Sequence, residues 1–179
     1  MIQFKIKNEE VLYPKSEKVE LNSKDIFQLK TMATLNERKR IRLCCHKNEE
    51  ETVHEMIIVH DKTCYVRPHL HKKRDESIYI IEGEADLIIF DAHGEIAEVV
   101  EMGELSTSKV VYRKIAKLTT HTLIFHTSHL VFKEVTQGPF DLEDTEFADW
   151  SPMENEHNDK KAAYIYSLSS AIKKRKFQK

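Results

Sequence analysis

From Glu55 onward the chain is a succession of short runs rich in β-branched and aromatic residues, and this succession limits the fold more than any other feature. The runs are MIIVHD, TCYVRPHLH, SIYIIEGEADLIIFD, EIAEVVEMG, KVVYRK, THTLIFH and LVFKEV. At least seven strands at this spacing predict an all-β sandwich or barrel. Hairpin turns are expected at Glu82-Gly83 and Ala92-His93-Gly94. Ile78–Ile81 and Leu87–Phe90 are apolar at successive positions, so both faces of those strands need cover. One face fills the interior; a second sheet, an N-terminal helix or another subunit must meet the other.

Before the strands, residues 1–22 read as short extended pieces around Tyr13-Pro14. Asn22-Ser23 offers an N-cap to a helix running from Ser23 to about Arg38, with Ile26, Leu29 and Ala33 on one face and Met32 beside them. ERKRIRLCCH then moves into strand. Past Val135 a polar segment carrying Phe140, Phe147 and Trp150 is expected to wrap back across the barrel. Residues 151–161 read as a polar linker, and from Ala162 a short helix ends in the basic cluster KKRK. Three units follow: strands and a helix over 1–50, the barrel over 51–150, and linker plus tail over 151–179.

Composition excludes several classes. With 28 Lys+Arg against 30 Asp+Glu in 179 residues, the chain has no basic excess for a dedicated nucleic-acid binder. No run of about 18 apolar residues offers a membrane-crossing helix, and MIQFKIKNEE lacks the basic start and apolar block of an export signal. The three cysteines, Cys44, Cys45 and Cys64, are an odd set, and the first two are adjacent on opposite strand faces. Free thiols and a cytoplasmic location are the expectation.

The chemistry concentrates in RPHLHKKRDESIYIIEG, Arg67 to Gly83. Alternation along a strand puts His69 and His71 on one face with Arg67 and Tyr65. After the turn KKRD, Glu76 returns beside them. Two neutral imidazoles and one carboxylate suit a borderline divalent metal. His121 in THTLIF is the expected fourth ligand, sharing its face with Leu123 and Phe125, whereas His126 points the other way. Three His and one Glu leave open positions on Fe(II), Mn(II), Ni(II) or Zn(II). The bland reading of a bare His-x-His is a satisfied pair on a strand face, with Glu76 solvated.

The longer spacing is more specific. His-x-His, four residues, Glu, six residues, Gly resembles the first motif of the cupin family at His69, His71, Glu76 and Gly83, and His121 matches the histidine of the second motif. The glycine expected before the histidine pair is replaced around Thr63, and the second motif lacks its Pro-x-Gly and trailing Asn. A narrower resemblance spans residues 24–152. RKRIRLCCH, HEMIIV, YVRPHLHKKRDESIYIIEGEADLIIFD, HTLIF and EVTQGPF…TEFADWSP look, in order, like the WbuC-type cupin metalloproteins found near bacterial O-antigen and surface-polysaccharide genes.

The resemblance implies a cupin jelly roll, expected as a homodimer, holding one divalent metal through His69, His71, Glu76 and His121. Arg67 is a candidate clamp for a small anionic ligand and Tyr65 a candidate proton donor. An Arg67 paired with a buried acid is an equal alternative. Arg38, Lys39, Arg40 and Arg42 read either as a phosphate or sugar-nucleotide gate or as charge at a helix end. The first functional expectation is a metal-dependent enzyme acting on a small anionic substrate such as a sugar or sugar nucleotide, as an isomerase or epimerase; the family resemblance itself names no reaction. The alternatives are a non-catalytic ligand-binding or regulatory module, a purely structural metal, and an Fe(II) dioxygenase.

Overall fold

The computed structural model describes residues 2–176; Met1 and the last three residues of the expected tail helix, Phe177, Gln178 and Lys179, lie outside the described residues, as does the side chain of Lys176. Among the described residues, twelve strands form two sheets. They are β1 (Phe4–Ile6), β2 (Val11–Pro14), β3 (Arg40–Cys44), β4 (Val53–Asp61), β5 (His69–His71) and β6 (Glu76–Glu82). There follow β7 (Glu84–Phe90), β8 (Ile96–Gly103), β9 (Tyr112–Ile115), β10 (His121–Phe125), β11 (His129–Gln137) and β12 (Thr145–Phe147). One sheet has the order β1-β2-β3-β4-β11-β6-β9 and the other β12-β5-β10-β7-β8. Neighbours pair antiparallel, apart from the parallel β2–β3 pair.

Alternation sorts the side chains into layers. Met56, Ile58, Ile78, Ile80, Leu87, Leu123 and Phe132 are buried between the sheets. On the outer face of the seven-stranded sheet, Ile41, Leu43, Ile57, Val59 and Val131 meet Leu29 and Ala33 of helix α1 (Ser23–Leu35). Leu29 is fully buried there, which stabilises the docking by about 2 kcal/mol.

Helix α1 starts where its sequence directs it. The Asn22 side chain accepts from the Lys24 N–H at 2.9 Å, and Asp25 accepts from the Asn22 N–H at 2.9 Å, a reciprocal cap. The helix stops three residues before the expected Arg38. Asn36 is extended, and its side chain accepts from the Arg38 N–H and donates to the Glu9 carbonyl. Those local bonds compete with another helical turn.

Two further expectations change. The tail helix α2 (Asn158–Lys176) is longer than sequence suggested and begins four residues earlier. Its Leu168 and Ile172 cover Ile88, Phe90 and Ile124 on the outer face of the five-stranded sheet. The C-terminal helix therefore supplies part of the cover sought for the apolar run Leu87–Phe90. Gly83 is not a hairpin turn: β6 and β7 lie in different sheets, and the chain turns a corner between them. The 91–95 turn does join the paired strands β7 and β8.

The corner requires glycine. Gly83 has φ +92°, and a Cβ there would overlap the His129 carbonyl oxygen and the Thr127 hydroxyl. Gly83→Ala is expected to lower the unfolding free energy by more than about 1 kcal/mol, with an unchanged denaturant slope in urea melts. Wild-type stability in that variant would remove the corner constraint.

Candidate metal centre

The site is assembled from both sheets. His69 on β5 is directly opposite His121 on β10 in the five-stranded sheet. Glu76 opens β6 in the other sheet, opposite Thr136 of β11. The chain crosses between them through residues 72–75, and that turn is pinned. Asp144 accepts from the Lys73 N–H and pairs with Arg74 at 3.0 Å, while the Asp75 N–H donates to Gln137 and Asp75 accepts from the Lys117 N–H.

His69, Glu76 and His121 each aim one ligand atom into a common space, all within 4.8 Å of one another. His69 Nδ1 lies 2.9 Å from the Arg67 carbonyl and His121 Nδ1 lies 2.9 Å from the Thr119 carbonyl. A carbonyl only accepts, so both Nδ1 atoms carry a proton and both Nε2 atoms face the group, that of His121 donating to Glu76 until an ion takes the proton's place. That is how a protein prepares imidazole ligands. Glu76 is 5% exposed and sits with one oxygen 2.6 Å from His121 Nε2 and the other 3.2 Å from His71 Nε2. The donor set fits a divalent ion, and these three residues form a group able to hold one.

His71 stands beside this group rather than within it. Its ring centre is 5.2 Å from His69 and 6.3 Å from His121, against 4.5 Å between those two. Its Nδ1 faces the Arg74 guanidinium at 3.3 Å and the Thr145 hydroxyl at 3.2 Å. Arginine only donates, so Nδ1 accepts and Nε2 carries the proton toward Glu76. Ligation through Nε2 would require that proton to leave.

Electrostatics follow from this burial. Burial would raise the Glu76 pKa, but His121 and the hydrogen bonds from His121 and His71 outweigh it and hold the carboxyl well below its usual range. Burial would lower His121; adjacent Glu76 raises it instead. Burial, then the charge of His121, pulls His69 down to about 3.

Of the other two candidates, Arg67 lines the cavity and Tyr65 does not. Only His69–His71 is strand, so Tyr65 and Arg67 do not continue its face. The Tyr65 hydroxyl donates to the Pro152 carbonyl at 2.8 Å, and burial pushes its pKa up to about 12. Arg67 lines the cavity, stacks on Phe147 at 5.1 Å, and donates to Ala148 O and Ser151 Oγ. Its partners are the chain that crosses the mouth, not a buried acid. His126 faces Asp86 at 3.1 Å, outside the group.

The cavity holds about 480 Å³. Its wall includes residues that the motif could not point to: Glu134 on β11, Arg40 and Arg42 on β3, and His60 on β4. The signal was the same alternation that placed His121. Phe132, Glu134 and Thr136 share the inner face of β11, as Arg40 and Arg42 share that of β3 opposite the outward Ile41 and Leu43. Burial, then nearby Glu76, raises the Glu134 pKa, so this carboxyl holds its proton more readily than an ordinary one.

Against known proteins, the family described as a domain of unknown function (DUF6016) matches over residues 21–102. No curated protein matches. Among solved structures, a Shewanella oneidensis protein aligns at TM-score 0.50 and 13% identity, over 60% of this chain and 72% of that one. Oxalate decarboxylase from Bacillus subtilis aligns at 0.45 and 21% identity, over 56% of this chain and 25% of that one. The capsular polysaccharide assembling protein CapF from Staphylococcus aureus aligns at 0.45 and 17%, over 55% and 27%. The chain thus spans about a quarter of each of the last two proteins. The two-sheet β fold is similar to cupin folds. The sheet-spanning His/Glu group occupies the space between the two layers.

The His69 environment makes a pH prediction for metal-free protein. An unfolded imidazole titrates near 6.5, so between about 6.5 and about 3 the unfolded chain binds a proton that folded His69 refuses. Stability therefore falls as pH drops through that window. His69→Gln is expected to flatten the fall, read from chemical melts at neutral pH and at about pH 4. A slope equal to wild type would contradict a neutral, buried His69.

Proposed function

We propose that this cupin is a metal-dependent enzyme of the WbuC type, acting on a small anionic substrate such as a sugar or sugar nucleotide of surface-polysaccharide synthesis. The single observation that carries the metal reading is the Nδ1-locked pair His69 and His121 facing the buried carboxylate of Glu76. The WbuC reading rests on the ordered stretches outside the site, from RKRIRLCCH to TEFADWSP.

His69, Glu76 and His121 would hold the ion. His71 either joins them after losing its Nε2 proton or orients Glu76 from behind. Bound there, a divalent metal would act as a Lewis acid toward a substrate oxygen. The protein's own groups do the rest. Glu134 is the cavity carboxyl best suited to take and return a proton, a role that Tyr65, committed to Pro152, does not fill. Phe140, Leu142 and Phe147 give the cavity wall an apolar stretch against which a substrate would pack.

Protein purified without a nickel column should carry about one divalent ion per chain by elemental analysis, and His121→Ala should carry none while keeping its far-UV circular dichroism. Metal content unaffected by His121→Ala would end this reading.

The apolar outer face at β6 and β9 supports a homodimer. Tyr79 and Tyr112 are a directly opposed pair, 39% and 53% exposed, with Ile81 and Val110 nearby at 40% and 41%. No helix of the described residues covers them, and β9 leaves a sheet edge open. Light scattering should find twice the chain mass for wild type and the single-chain mass for Tyr112→Glu. A monomeric wild type would rule the dimer out.

A further inference from the structure

We infer that Arg38, Arg40 and Arg42, with His60, form a subsite for a phosphate group, and that Glu154 occupies it as a resident carboxylate which the ligand displaces. This deepens the proposed function, because it rests on the cavity receiving a small anionic substrate.

Arg40 and Arg42 project from the inner face of β3, and Arg38 lies just before that strand. All three line the cavity that holds the His/Glu group. Glu154, from the segment that crosses the mouth, lies 2.7 Å from Arg38 and 3.7 Å from Arg40. Glu10 completes the pairing, 3.0 Å from Arg38 and 2.8 Å from Arg40. Arg42 forms no side-chain hydrogen bond or ion pair with any described residue.

An independent observation marks the place. His60, on the neighbouring strand opposite Arg40, is 7% exposed, and its Nδ1 has no hydrogen-bond partner. It is held between Phe125 and Phe132, ring centres 5.2 and 5.4 Å away. Burial, then the charges of Arg40, Arg42 and Arg38, keeps it neutral. An orphan polar atom in the shared field of three guanidiniums is a group without its ligand.

Two features separate Glu154 from an ordinary structural pair. Its carboxylate is partly exposed, so water screens its ion pairs and rehydrates it on release. Its backbone is anchored independently. Tyr65 holds Pro152 O, Arg67 holds Ala148 O and Ser151 Oγ, and Lys161 donates to Glu154 O. The side chain can swing away while the strap stays in place. This also relocates the anion clamp. Arg67 is taken up by the strap, whereas Arg42 is unengaged.

Charge selects the ligand class. With Glu154 removed, Arg38 and Arg40 keep Glu10 as their paired carboxylate, and Arg42, which acts on Glu134 in the same cavity, is paired with none, so the cluster keeps an excess of positive charge. A phosphate monoester carries about −1.5 to −2 at neutral pH and offsets that excess more fully than a single carboxylate does. A monocarboxylate restores only what Glu154 already provides. Guanidinium forks also match phosphate oxygens in geometry.

The test uses full-length protein stripped of metal by a chelator, then dialysed, and titrated calorimetrically with inorganic phosphate. Glu154→Gln should bind phosphate roughly three- to tenfold more tightly than wild type. Arg42→Gln should weaken binding by about tenfold or more, alone or with Glu154→Gln. Acetate should bind more weakly than phosphate to every form. Equal phosphate affinity in wild type and Glu154→Gln, undetectable binding in both included, would overturn the inference. So would phosphate binding that survives Arg42→Gln, or acetate that binds as tightly as phosphate. If Arg42→Gln fails to fold by circular dichroism, Arg38→Gln, on a more exposed side chain, decides on the same criterion. The two readings fail separately. Protein without metal but with the Glu154 effect loses the metal centre alone; protein with metal but without that effect loses this subsite alone.

Discussion

Glu76 is the acid that the two sheets share. It leaves the seven-stranded sheet at the start of β6, and its two oxygens meet His121 and His71 of the five-stranded sheet. A carboxylate 5% exposed is tolerable only with such partners, since an unpaired buried charge would take up a proton. Much of the local structure serves this meeting. The Arg67 and Thr119 carbonyls orient the two imidazoles, and the register of β5 on β10 sets them side by side. Asp144 ties down the backbone of the turn that carries Glu76 from one sheet to the other. A metal placed in the group would relieve the His121–Glu76 contact and bind the layers through one centre.

Much of this could be read from the sequence because strands are local. Alternation in THTLIF and the spacing from His69 to Gly83 require nothing beyond neighbouring residues and set which side chains share a face, while the pairing of β5 with β10 brings His69 and His121 together beside Glu76. Alternation does not reach Tyr65 because it presumes an unbroken strand, whereas β5 begins only after Pro68; Arg67 lines the cavity all the same. The same rule assigns Arg40, Arg42 and Glu134 to the inner face, where the structure has them lining the cavity.

What the sequence withheld was long-range. Helix α2 carries Leu168 and Ile172 at helical spacing, but nothing local says that they dock on Ile88 and Phe90, some eighty positions earlier. Gly83 shows the same limit. A glycine after a strand reads as a tight turn, and only its contact with His129 reveals a corner between sheets. Tyr65 is the sharpest case, since its hydroxyl bonds a carbonyl 87 residues away.

The cavity is electrostatically graded. Its interior holds the carboxyls Glu76 and Glu134 among imidazoles, while β3 and the residues before it supply three guanidiniums. An anionic ligand is repelled by the first region until a cation neutralises it and attracted by the second, so the two ends cannot be exchanged. Orientation is therefore built into the wall rather than left to hydrogen bonds at the reacting centre. The same grading explains why the mouth strap contributes an acid. Without Glu154, Arg38 and Arg40 would face each other with Glu10 as their only carboxylate, and like charges in a half-buried cleft destabilise the fold. One residue thus answers two demands, since the carboxylate that makes the empty cleft tolerable is also the group a more highly charged anion would replace.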